Sequence, residues 1–164
     1  MAEVVFDTNV PTVANGQAGQ ASEACEEACI DRLLESRARD VVLVDDGGLI
    51  LAEYQRHLAH RGQPGAGDAF FKWLWDNQGN EAHCRRIHIT PIEDDSRSFL
   101  EFPDDPRLRT FDPSDRKFVA VAVASGSEAT VVNASDTDWW SAREALSEHR
   151  VNVDFLCPEL MQSP

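Results

Sequence analysis

The chain has 164 residues, with 29 Asp and Glu against 15 Lys and Arg and a formal net charge of −14. That length suits one domain with a proper core, and 42% hydrophobic with 27% charged residues is ordinary for a globular protein. Excluded are a globally basic surface that would draw nucleic acid from a distance and a membrane span, since the longest apolar run, Phe118 to Ala124, is far too short.

In chain order, Val4 to Asp7 reads as a strand. Only Met1, Ala2 and Glu3 precede it, which leaves no room for a signal peptide, so a cytoplasmic protein is expected. Ser22 is placed as an N-cap before a helix running to about Ser36, with Ile30, Leu33 and Leu34 at helical spacing. Val41 to Val44 is a second apolar strand, closed by Asp45-Asp46-Gly47-Gly48. Leu49 to His60 is helical, with Ile50, Tyr54 and Leu58 on one side. Gly62 to Gly67 is a loop, and Asp68 is expected to cap a short aromatic helix, Ala69 to Asp76.

The later half predicts a strand at Ile87–Ile92, an acidic, proline-bearing loop from Glu93 to Leu108 and a helix from Pro113 to Ala124. A strand at Thr130–Ala134, a helix from Trp139 to His149 and a strand at Val151–Leu156 follow. Strands alternating with helices imply an α/β fold, a three-layer α/β/α sandwich around a mainly parallel sheet. Near-continuous apolar strands such as VVLV fit a sheet covered on both faces. Residues 1–160 form one domain in this reading, and 161–164 a short tail.

Cys25, Cys29, Cys84 and Cys157 include no pair at the two-residue spacing of a zinc knuckle or redox motif. All four are expected as reduced core thiols in a reducing compartment. His83 and Cys84 adjoin, a weak signal for a metal pair.

The acids carry the chemical signal. In an open parallel sheet the functional crevice lies beyond the carboxyl ends of the strands. Strand one ends at Asp7, followed by Thr8 and Asn9. The strand in TVVNASD ends at Asp136, with Asp138 two residues on. In FDPSDRKFVAVAVA, Asp112 is the N-cap, Pro113 takes the first helical position and Asp115 falls in the first turn. With Asp112 available to cap, Asp115 is left free for another role. Glu53 is the only acid in LILAEYQRHLA.

In order and spacing these segments resemble a PIN domain, the magnesium-dependent nuclease fold of many toxin ribonucleases and RNA-processing enzymes. The resemblance covers nearly the whole chain and aligns Asp7, Glu53, Asp115 and Asp136 with the family's acids, with Asp138 as a helper. It implies a Mg²⁺- or Mn²⁺-dependent endoribonuclease in which these five residues are metal ligands and the first four catalytic. Asn9 and Ser135 are expected to orient the carboxylates. Arg56, His57, Arg116 and Lys117 are expected to guide the substrate backbone, RNA or else DNA. The family also implies a protein inhibitor or complex partner. The stretch from Gly62 to Cys84 is longer than in a minimal toxin of this kind.

The dense aromatics Phe71, Trp73 and Trp75 are expected to form a homodimer or inhibitor interface. Two other readings use the same residues. Non-catalytically, a PIN-like fold serves as an interaction module through that helix. Alternatively, Asp7 is the nucleophile of an aspartyl-phosphate enzyme similar to haloacid-dehalogenase phosphatases, or VVLVDD opens a receiver-like domain at Asp45 and Asp46. The phosphatases carry a second acid where this chain has Asn9, and the receiver leaves the first third of the chain unused.

Overall fold

Val4–Phe6, Val42–Val44 and Val131–Val132 are at most 1% exposed. Runs apolar on both faces cannot stand at a sheet surface, so they form the centre of a parallel sheet covered above and below. The computed structural model describes residues 1–19, 21–93 and 97–161. Its five strands, β1 (Ala2–Phe6), β2 (Asp40–Asp45), β3 (Cys84–Ile87), β4 (Thr130–Asn133) and β5 (Asn152–Phe155), pair in the order β3-β2-β1-β4-β5. All four pairings are parallel.

The chain leaves β1 in one direction to reach β2 and β3, then returns across the sheet to β4 and β5. Right-handed crossovers therefore put the two sets of helices on opposite faces. On one face α1 (Asn9–Ala14), α2 (Glu23–Arg39) and α4 (Ala66–Asn77) pack against one another. α5 (Arg116–Ala124) lies against β1, β2 and β4, and α6 (Thr137–Glu148) against β5. α3 (Leu49–His57) bridges toward α4 and α5. No described helix is long and apolar enough to cross a membrane.

Several expectations are corrected. The third strand is Cys84–Ile87 rather than Ile87–Ile92, because an edge strand is only as long as its partner: β2 ends at Asp45, opposite Ile87. Beyond it Pro91, which has no N–H to donate, makes an isolated antiparallel bridge with Phe99. α1 was not foreseen. It starts two residues after Asp7, with Pro11 near its start, where a missing N–H is tolerated. α4 begins at Ala66, and Asp68 lies inside its first turn, accepting from Gly65 N at 3.0 Å and Ala59 N at 2.8 Å. Of the expected tail, Met161 is buried and residues 162–164 lie outside those described, as do 94–96 of the acidic loop.

The aromatic helix is core. Phe70, Phe71 and Leu74 are fully buried, with Phe70 edge-on to Phe6 at 5.2 Å between ring centres. Phe71 cannot serve an interface. Trp73 packs partly buried against the core, and Trp75 keeps 39% of its surface exposed.

The thiols also differ from expectation. Cys25 and Cys157 form a disulfide across 132 residues of sequence, while Cys29 and Cys84 are free and buried. Cys25 opens α2 and Cys157 follows β5, so tertiary packing alone brings them together.

α4 meets α1 without room for a side chain. A Cβ on Gly67 would lie 2.0 Å from the Pro11 carbonyl oxygen. Gly67→Ala must therefore push two helices apart, and denaturant melts should show a loss of about 1–3 kcal/mol, the range for an overpacked interior. Gly79→Ala meets nothing within 4 Å and serves as the control.

Candidate metal centre

The sheet order changes direction between β1 and β4, and their carboxyl ends lie side by side at that point. Such switch points form the crevice of open α/β sheets. β1 runs out into Asp7, whose N–H still bonds to Val132 O at 3.0 Å. β4 ends at Asn133, and Asp136 follows as N-cap of α6, accepting from Asp138 N at 2.9 Å. Asp115 arrives as the N-cap residue of α5, the helix that packs against β1, β2 and β4. One carboxylate oxygen from each of Asp7, Asp115 and Asp136 lies within 4.8 Å of the other two.

Asp115 makes no capping hydrogen bond. Asp112 takes that role one turn earlier, accepting from Ser114 N and Oγ, both at 2.9 Å, over the 3₁₀ turn Pro113–Asp115. The sequence expectation of one continuous helix from Pro113 is thus refined, and Asp115 sits at the junction with its carboxylate unused by the helix.

The three carboxyls hold their protons more tightly than usual. For Asp7, burial is the largest cause, then the negative charge of Asp115, with Asp136 and Glu53 adding to it and the Asn9 N–H opposing. Burial, then Asp136, Asp112 and Glu53, push Asp115 up to about 7, with Lys117 opposing. Asp136 is raised chiefly by burial and eased by the N–H of Asp138. Hydrogen bonds fix the group. Asp7 Oδ1 accepts from Asn9 N at 2.9 Å and Oδ2 from Asn133 Nδ2 at 3.3 Å. Asn133 Oδ1 accepts from Asp136 N at 2.9 Å, and Asn9 Oδ1 from Ala134 N at 3.1 Å.

Asn133 thus connects two of the three acids, and the sequence reading missed it. The signal was available: a polar residue ending an apolar strand singles out Asn133 as it did Asp7. Ser135, expected in this supporting role, makes no side-chain hydrogen bond to the described residues. Asn9 reaches Asp7 through its backbone N–H, while its side chain meets Ala134 N and Asn133 Oδ1.

Glu53 lies beside the cluster but outside the converging oxygens. Thr8 Oγ1 donates to its Oε2 and Lys117 Nζ to its Oε1 at 2.6 Å, while Arg56 stands 3.9 Å away. Asp138 is exposed and turned toward a cavity of about 110 Å³ shared with Arg107, Thr110 and Ser141.

The four basic residues divide. Arg56 and His57 are exposed at the end of α3. Arg116 is 5% exposed and braces the preceding loop, donating to Phe111 O at 2.8 Å and Arg109 O at 3.1 Å. Lys117 is 8% exposed and neutralises Glu53. Neither was expected as a buried residue. Both are held inward because α5 is wholly enclosed at its start.

Asp45, the acid of the receiver-like reading, is a helix cap, accepting from Leu49 N at 2.9 Å and Ile50 N at 2.8 Å. His83 and Cys84 take no part in a metal-ligating group among the described residues. The chain matches no family model, no curated protein and no solved structure.

The raised pKa of Asp115 gives a test. In EDTA the folded chain keeps this proton at pH values where the unfolded chain, at 3.8, has released it. That contribution to stability is fully present below 3.8 and is lost as pH rises through about 7. Asp115→Asn removes the dependence. The melting temperature of the variant relative to wild type should therefore climb between pH 5 and 8, ending at or above zero. A variant that melts well below wild type at every pH would make Asp115 a structural cap.

Proposed function

We propose that the protein is a divalent-metal-dependent endonuclease of PIN-like type acting on RNA. The observation that carries this reading is the convergence of Asp7, Asp115 and Asp136, from three separate segments, at the switch point of a parallel sheet. Three carboxylates offer hard oxygen donors, the set that suits Mg²⁺ or Mn²⁺. Their raised affinity for protons reflects the same electrostatic stress that a cation would relieve. The residues present therefore fit such an ion.

When bound, Mg²⁺ or Mn²⁺ supplies charge neutralisation at a phosphodiester and an activated water. The chain's own residues do the rest. Asp7, Asp115 and Asp136 would hold the ion; the Asn9 N–H and the Asn133 side chain fix the Asp7 carboxylate, and Asn133 anchors the backbone N–H of Asp136. Lys117 keeps Glu53 and the start of α5 in register through its 2.6 Å bond. Glu53 then stands at the border of the centre, where it orients solvent rather than holding the ion directly. The Arg56 guanidinium and the His57 ring, both outward on α3, are the groups that would meet a polyanionic backbone.

An aspartyl-phosphate mechanism fits less well. Enzymes of that class carry a second acid two residues after the nucleophile, where this chain has Asn9, whose side chain meets Ala134 N and Asn133 instead.

Labelled single-stranded RNA and DNA, incubated with Mn²⁺ or with EDTA, test the proposal. RNA cleavage with Mn²⁺, none with EDTA, and none from Asp136→Asn are expected. Asn is as good an N-cap as Asp, so the variant should remain folded. Mn²⁺ at 100 times its dissociation constant should also stabilise the wild type by about 2.7 kcal/mol and Asp136→Asn by much less. Stabilisation by Mn²⁺ without cleavage of either nucleic acid would leave a metal-binding interaction module.

Charge-neutralising Arg56→Gln and His57→Gln should weaken RNA binding and flatten its dependence on salt. Arg116→Gln should instead act through stability. Binding isotherms at several salt concentrations, together with melts, separate the two effects.

A further inference from the structure

A second cluster lies apart from the acids and has no part in the proposed chemistry. Cys25 and Cys29 are one turn apart on the buried side of α2, and Cys157 reaches them from the segment after β5. All three residues are 0% exposed, and their three sulfurs lie within 4.8 Å of one another. Two are joined as the disulfide, with Cα atoms 5.4 Å apart. The third is a free thiol in contact range, so the pairing leaves one soft donor over.

Sulfurs that share one ion with metal–sulfur bonds of about 2.3 Å stand about 4 Å apart. Once the disulfide is opened, Cys25 and Cys157 separate toward that spacing, and Cys29 lies no more than 4.8 Å from either. No further His, Cys, Asp or Glu joins the group among the described residues. The donor set is therefore three sulfurs, trigonal, in apolar surroundings. Zn²⁺ in a closed protein site takes four ligands, whereas thiolates alone select Cu(I) among the soft ions.

We infer that the reduced protein holds one soft monovalent cation, of the Cu(I) class, between Cys25, Cys29 and Cys157. The balance is simple. A phosphine or dithiol reductant delivers two electrons to the disulfide, two protons are taken up, and two thiols result. The cation then displaces thiol protons to solvent as the sulfurs bind it, so uptake strengthens as pH rises. Burial and Glu26 push the free Cys29 thiol up to about 12, which keeps it inert until an ion replaces its proton. Disulfide and cation are mutually exclusive occupants of one place. The site is independent of the carboxylates, whose hard oxygens suit a different class of ion.

The test is an anaerobic titration of the reduced, reductant-free protein with Cu(I) buffered by a chromophoric chelator. One Cu(I) per chain should leave the chelator, and the oxidised protein should take none. Cys29→Ser keeps both disulfide cysteines, so it should fold normally yet lose affinity by more than the roughly 10–100-fold that loss of an outer-shell partner costs. Cys84→Ser, which removes the other free thiol, and Asp115→Asn should bind as wild type does. Should reduction by itself unfold the chain, circular dichroism replaces the titration: Cu(I) must restore the fold of wild type and Cys84→Ser, but not of Cys29→Ser. No uptake, unchanged affinity in Cys29→Ser, uptake without return of structure, or displacement of Cu(I) by an excess of Zn²⁺ would each overturn the assignment.

Discussion

Three carboxylates are forced together at one edge of the sheet, and much of the molecule can be understood as what holds them there. Two unit charges 4 Å apart repel by about 4 kcal/mol at the effective dielectric of a protein surface, and Asp7 is almost wholly buried. Only rigid elements sustain such an arrangement. Asp7 and Asp136 follow adjacent parallel strands, whose ladder fixes their separation, and Asp115 is delivered by a helix enclosed in the core. Asn133 then ties the two strand ends to each other by accepting from one acid's backbone and donating to the other's side chain.

Charge is handled locally around this centre. Lys117, buried near the end of α5 that meets the acids, offsets Glu53. Arg116 turns the other way and spends its donors on backbone carbonyls of the loop that leads into Asp112. So the two cations that follow Asp115 in sequence are internal supports. In a chain of net charge −14, Arg56 keeps its guanidinium facing outward beside the site, 3.9 Å from Glu53.

The disulfide belongs to the same construction. Leu156 N bonds to Asn133 O at 2.9 Å and Cys157 N to Ala134 O at 3.0 Å. The segment pinned to α2 by Cys157 therefore also lines the backbone that carries Asn133. An edge strand with no neighbour beyond it has the weakest hold on the sheet, and the staple secures its carboxyl end where the acids need a fixed wall.

The sequence by itself determined the alternation of strands and helices and the parallel sheet, and it offered five candidate acids, because each of these is written locally; which three of the acids converge was decided by the fold. Apolar runs of four or five residues, a Pro after an Asp and an acid at a strand end depend on their neighbours in the chain. Tertiary structure decided the rest. Strand β3 moved to Cys84–Ile87 because its length follows β2, a partner about 40 residues away. Lys117 and Arg116 looked like surface cations, yet enclosure of the start of α5 turned them inward. AFFKWLWD looked like an interface, yet laying this helix on another through Gly67 buried Phe70, Phe71 and Leu74. Cys25 and Cys157 could not be paired from spacing, since no local rule joins residues 132 positions apart. Which polar groups meet is a property of the folded packing, and the sequence lists only the candidates.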